Sequence, residues 1–143
     1  MPMNILQESS AKSTTTGSVT ILGTCGLTFV SGAPISYGSL TPEALSANQT
    51  LTISNTGIVA GTLSVNGTDW KDGGGTTHIL VNFTKYSGPA KSYVSKTSLT
   101  LTPSVAGSVA PGSNSTSWAL KAHVTALPFS GSLTQTMDFS LSC

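Results

Sequence analysis

The chain has 143 residues, a length that one domain accommodates and that buries a core without help. Only 8% of the residues are charged, six lysines and five acids with no arginine, for a formal net charge of +1. An average globular chain carries about 25% charged residues, so this one offers no basic field to a nucleic acid or an anionic membrane and no acidic field either.

Ser and Thr number 45, close to a third of the chain, so solubility rests on neutral polar groups, as in extracellular β proteins. A chain of that composition is disordered unless apolar residues are placed to pack, and here 38% hydrophobic residues recur with a period of two.

In chain order, residues 1 to 16 hold a short apolar knot at Met3, Ile5 and Leu6 and then a polar tract from Ser9 to Thr16. They have no basic n-region and no apolar h-region. The chain therefore reads either as beginning at the mature residue, with or without added residues ahead of it, or as a protein not secreted by that route. Residues 1–22 form an N-terminal extension and 23–143 a single β domain. From Val19 to Phe29 apolar side chains alternate, with Gly23 and Gly26 placed to bend or split the run. Ile35 to Leu40 reads as a short strand with Tyr37 inward, and Thr41-Pro42-Glu43 as a turn.

Gln49 to Asn55 alternates through Leu51 and Ile53. Asn55-Thr56-Gly57 reads as a turn, and Ile58 to Val65 as the returning arm of a hairpin. Asn66 to Thr76 is a loop with one tryptophan, two aspartates and three successive glycines. His78 to Tyr86 is the next strand, Ser87 to Lys91 a turn, Ser98 to Thr102 a strand, and Val105 to Pro111 a stretch punctuated by Gly and Pro. Ser115 to Ala126 puts Trp118, Leu120, Ala122, Val124 and Ala126 on one face. Leu127-Pro128-Phe129 and Ser130-Gly131 turn the chain into its last strand, where Leu133, Met137, Phe139, Leu141 and Cys143 share a face. About eight short strands with turn signals between them and no helical period predict an all-β Greek-key sandwich.

Cys25 and Cys143 are the two cysteines, one in each of two strands that share an odd-numbered inner register. That register predicts a disulfide joining the first strand to the last, and with it an oxidising environment. Asn48, Asn66, Asn82 and Asn114 each begin an Asn-x-Ser/Thr triplet, so all four are expected N-glycosylation sites if the host glycosylates exported proteins.

Catalytic chemistry is not expected. His78 and His123 fall on predicted strands opposite the alternating apolar residues, where a solvent-facing polar position explains them. The serines have no neighbouring His or acid arrangement that would activate one. Asp69 and Asp72 flank Trp70 in the Gly-rich loop, whose carboxylates suggest capping and whose indole, if exposed, suits stacking on a sugar. No metal or other cofactor is expected, since the loop matches no full calcium motif. Nothing is apolar for 18 residues, so no membrane span is expected.

The order of short phrases from TCGLTF through ISYGSL, LTISNTG, VNGTDW, TKYS and WALKAHV to FSGSLTQTMDFSLSC, over residues 24–143, resembles a group of small secreted surface proteins of archaea. That resemblance implies an immunoglobulin-like β-sandwich at the cell surface and carries over no member's activity. In layout, the N-terminal extension is similar to that of pilus and thread subunits whose N-terminal strand completes the sandwich of the neighbouring copy. The expectation is therefore an extracellular filament of identical copies, with Ile5, Leu6, Val19 and Ile21 as the side chains that fill the next copy's groove. The alternatives are an adhesin or carbohydrate-binding module using Asp69, Trp70 and Asp72, and a virion decoration protein.

Overall fold

A computed structural model describes residues 11–87, 97–122 and 129–143. Its strands are β1 Leu27–Ser31, β2 Gln49–Asn55, β3 Gly61–Gly67, β4 Trp70–Lys71, β5 Thr77–Ile79, β6 Thr84–Ser87, β7 Thr97–Ser98, β8 Ser104–Val109, β9 Gly112–Leu120 and β10 Met137–Ser142, with a 3-10 turn at Val81–Phe83. They form a five-stranded sheet in the order β1-β2-β9-β6-β7, a three-stranded sheet in the order β10-β3-β8, and the small hairpin β4-β5. The ladders are antiparallel throughout. The chain is the Greek-key β-sandwich that the alternation predicts, immunoglobulin-like as the resemblance implies.

The two large sheets meet through the side chains that alternation turns inward. Leu51 and Ile53 of β2, Tyr86 of β6 and Trp118 and Leu120 of β9 face Leu63 and Val65 of β3 and Ala106 and Val109 of β8. Trp118 is fully buried, stacks on Tyr86 with ring centroids 5.0 Å apart, and meets Phe139 of the opposite sheet edge-on at 5.6 Å. Its indole N–H donates to Thr116 Oγ1 at 2.9 Å, and that hydroxyl donates to the Leu51 carbonyl at 3.2 Å. The polar atom of the largest core side chain is thereby satisfied within the core.

Several sequence expectations are corrected. Gln49–Asn55 and the following strand do not form a hairpin, because β2 lies in one sheet and β3 in the other. Asn55 explains the crossing. It is 2% exposed, its Nδ2 donates to the carbonyls of Val59 (2.8 Å) and Val109 (3.1 Å), and its Oδ1 accepts from the amides of Gly57 (3.0 Å) and Gly26 (3.3 Å). A buried amide that ties four backbone groups directs the chain across the sandwich instead of back along β2.

The alternation from Val19 becomes a strand only at Leu27. Ile35 to Leu40 is not a strand, although Tyr37 is buried as expected. The predicted strand His78 to Tyr86 divides into β5, the 3-10 turn and β6, where the Val81 amide donates to Asp69 Oδ1 at 2.7 Å. Val105 to Pro111 covers all but the first residue of the strand β8, whose buried residues are Ala106, Gly107 and Val109. The strand at 98–102 shrinks to Thr97–Ser98. The expected continuation of the Trp118 strand past Ala122, with Val124 and Ala126 on its apolar face and His123 opposite them, lies outside the described residues, as do positions 88–91 of the predicted turn.

Candidate functional site

β1 and β10 are the outer strands of their sheets on the same flank of the sandwich. A disulfide bridges them at one end: Cys25 stands just before β1, Cys143 just after β10, and their Cα atoms are 6.1 Å apart. Beside it Phe29 of β1 and Phe139 of β10 meet edge-on with centroids 5.4 Å apart. Gly61 of β3 makes room there, since a Cβ would stand 2.6 Å from Leu141 Cγ and 3.2 Å from Cys25 Sγ.

Beyond the Phe29–Phe139 contact the edges part. Past Ser31 the chain leaves β2 through Gly32, whose φ of 87° suits glycine. A groove of about 420 Å³ opens between Phe29, Ile35 and Tyr37 on one side and Leu133, Met137 and Phe139 on the other, with Trp70 at its base. It runs on into a cavity of about 710 Å³ that reaches Leu40, Leu120 and Phe129. Among the described residues neither lining contains a lysine, an aspartate or a glutamate.

One wall of this groove is the outer edge of residues 134–142, which pair on their other side with Lys71, Thr68 and β3. Thr134 exchanges hydrogen bonds with Lys71 (2.9 and 3.0 Å), the Thr68 amide donates to the Thr136 carbonyl at 2.9 Å, and β10 continues along β3. The even-numbered residues thus face the sheet. By the alternation of an antiparallel ladder, Gln135, Met137 and Phe139 turn their amides and carbonyls to the groove side. Their side chains, with Leu133 and Leu141, are only half-buried, unlike the inward residues of β2 and β3.

The N-terminal arm supplies the complementary pattern. Residues 11–22 are exposed and have no regular structure. Val19 is 81% exposed, Ile21 74% and Leu22 81%. Thr24 is where the arm joins the domain, its carbonyl accepting from the amides of Ile58 (2.9 Å) and Val59 (3.3 Å) at the β2–β3 corner. Ile5 and Leu6 lie outside the described residues.

No protein-family model and no curated protein matches the chain. Among solved structures it is similar to the P pilus rod subunit PapA, at 14% identity and a TM-score of 0.48 over 92% of this chain and 99% of that one. It is also similar to a chain of a chaperone–usher pilus whose structure concerns rod uncoiling, at 17% identity and a TM-score of 0.45 over 94% and 99%.

The Gly-rich loop is not the exposed binding platform expected of Asp69, Trp70 and Asp72. Pairing of β4 with β5 rolls Trp70 inward, where it is 9% exposed, donates its indole N–H to Thr84 Oγ1 at 2.9 Å, and meets Tyr37 edge-on at 5.7 Å. Asp72 accepts from the amides of Gly74 (2.9 Å) and Thr76 (3.0 Å) and bonds His78 Nε2 at 2.9 Å. The His78 bond, then the Thr76 and Gly74 amides, hold its carboxyl below the usual carboxylate range against some desolvation.

His78 is a second correction, for its side chain is 14% exposed and stacks on Phe129 at 3.8 Å instead of facing solvent. Asp72 with its glycines is thus a self-capped turn. Among the described residues no group of three or more His, Cys, Asp or Glu side chains could hold a metal ion.

The four glycosylation triplets differ in their surroundings. Asn48 and Asn82 are exposed. Asn66 is half-buried, and Asn114 donates through Nδ2 to the carbonyls of Ala110 and Gly112 at 3.0 Å each, so a sugar on that nitrogen would displace one of those bonds.

Proposed function

We propose that this chain is the structural subunit of an extracellular filament that grows head to tail by donor-strand complementation. Residues 1–22 of one copy lie as an added strand between β1 and β10 of the next, with Val19 and Ile21 in the groove. The observation that carries this reading is the pairing of two unmet needs. An uncharged groove with half-buried apolar walls is flanked by backbone groups aimed into it, and an alternating arm holds Val19, Ile21 and Leu22 in solvent.

The attachment of the arm favours a second copy over its own. The Cys25–Cys143 disulfide and the Phe29–Phe139 contact span the groove at the end where the arm leaves, and the Thr24 bonds direct it toward the β2–β3 corner. A contact of one copy's arm with another copy's groove leaves the first copy's groove and the second copy's arm to engage further copies, so it propagates. Low charge and abundant Ser and Thr suit a hydrated surface outside the cell, and sugars attached through Asn belong at Asn48 and Asn82, whose side chains are exposed.

The test is assembly. Negative-stain microscopy of the purified protein is expected to show fibres, and Val19→Asp with Ile21→Asp is expected to leave soluble, folded monomers by size-exclusion chromatography and circular dichroism. Fibres that persist in the double variant refute the proposal. The reading of the protein as an adhesin built on Trp70 loses its platform to burial of the indole.

A further inference from the structure

The disulfide has a position that stability alone does not require: it links the point where the arm leaves the domain to the end of the strand that walls the groove. We infer that the Cys25–Cys143 bond carries the tension of the filament from one subunit to the next, an inference that rests on the donor-strand reading above. In such a polymer each subunit is pulled at two places, through its own arm at Thr24–Cys25 and through the foreign arm lying along residues 135 to 139.

Without a covalent link, force entering at Cys25 must cross the domain through weak connections. They are the Thr24 and Gly26 backbone bonds to the β2–β3 corner and the ladder that pairs β1 with β2 at Leu27, Thr28, Phe29 and Ser31. Such a short ladder yields by sliding or peeling, after which the rest of the sandwich unravels in turn.

The disulfide bypasses all of these connections. Force at Cys25 passes through sulfur to Cys143 and into β10, whose ladder with β3 runs the whole strand from Met137 to Ser142. The next link is the incoming arm itself. The path along the filament is then covalent within every subunit and non-covalent only between an arm and β10, so a stretched filament releases arms before it unfolds domains.

Cys25 and Cys143 are separated by 118 residues in sequence. A domain pulled open between those points would lengthen by about 400 Å at 3.3 to 3.6 Å per residue. With the bond intact only the few residues between the held part of β10 and Cys143 can extend, about 30 Å.

Single filaments stretched by optical tweezers read this difference directly. Oxidised wild-type filaments are expected to rupture without lengthening steps beyond about 30 Å per subunit. The Cys25→Ser, Cys143→Ser double variant is expected to show steps of about 400 Å before rupture. Wild-type filaments assembled while oxidised and then reduced under tension should give the same steps, which keeps the test informative where the variant does not assemble. Cys143 is exposed, so a small phosphine reaches it. Long steps in oxidised filaments, or equal traces with and without the bond, overturn the inference. A protein that forms no filaments refutes the donor-strand reading itself, and that outcome is distinct from filaments whose traces are insensitive to reduction.

Discussion

Alanine substitutions at adjacent positions of the arm separate a strand docked by one face from a sticky tail. In the isolated subunit Val19, Ile21 and Leu22 are 81%, 74% and 81% exposed, so each has nearly its whole side chain left to bury. In an extended arm Val19 and Ile21 share a face, while Leu22 points to the other side with Thr20. At about 0.8 kcal/mol per buried methylene, Val19→Ala removes about 1.6 kcal/mol from the subunit contact and Ile21→Ala about 2.4 kcal/mol. Converted at RT of about 0.59 kcal/mol, these losses raise the critical concentration for polymerisation about 15-fold and about 60-fold. Leu22→Ala, facing outward, shifts it less than about 3-fold by the same arithmetic. Sedimentation of filaments from the full-length protein over a concentration series gives the three values. Equal shifts at Ile21 and Leu22 would mean contact without register, and no shift at either would mean that the arm takes no part in assembly.

Two further predictions concern the domain itself. Asn55→Ala leaves two half-buried amides and two carbonyls without their shared partner and is expected to cost about 3 to 5 kcal/mol in urea denaturation; a loss under about 1 kcal/mol would refute the role given to the corner. The lowered carboxyl of Asp72 contributes stability that is present above the ordinary carboxylate pKa and is lost as pH falls through the folded value, so acid should destabilise the wild type more than Asp72→Asn between about pH 5 and pH 2. Melting temperatures for the two proteins across that range, if parallel, would contradict it.

The strands that bury one face against the other sheet were legible because each carries its own signal. Leu51 with Ile53, Trp118 with Leu120, and Met137 with Phe139 and Leu141 alternate whatever their partners, and the shared parity of Cys25 and Cys143 placed the bond between first and last strands. Partnership is not written in a period of two. β2 and β3 look like two arms of a hairpin until Asn55 is seen to hold four backbone groups at the corner. β8 was hidden because two of its three buried residues, Ala106 and Gly107, are adjacent and too small to give an alternation of hydrophobicity. Trp70 sits among glycines that suggest an exposed loop, and only pairing of β4 with β5 turns it under. The groove belongs to no single segment, since it exists where β1 and β10 fail to meet.

Half-burial of Phe139 links the fold to the proposed assembly and yields a prediction that core residues do not share. In the isolated subunit its ring meets Phe29 at 5.4 Å and Trp118 at 5.6 Å, yet it keeps a face toward the groove. Phe139→Ala should cost about 2 kcal/mol in the monomer, less than the 3 to 5 kcal/mol of a fully enclosed phenylalanine, because part of its surface is still wet. The remaining 1 to 3 kcal/mol, by difference about the amount such a ring gains when an added strand covers it, appears only in the polymer and raises the critical concentration about 5- to 160-fold. Leu51, 1% exposed on β2 and away from the groove, has nothing left to gain. Leu51→Ala should lower monomer stability by about 2 to 5 kcal/mol and leave the critical concentration of the folded protein within about 3-fold of wild type. Denaturation and sedimentation on the same two variants decide the matter. If Phe139→Ala loses only monomer stability, as Leu51→Ala does, nothing enters the groove beside Phe139 and the added strand must lie elsewhere.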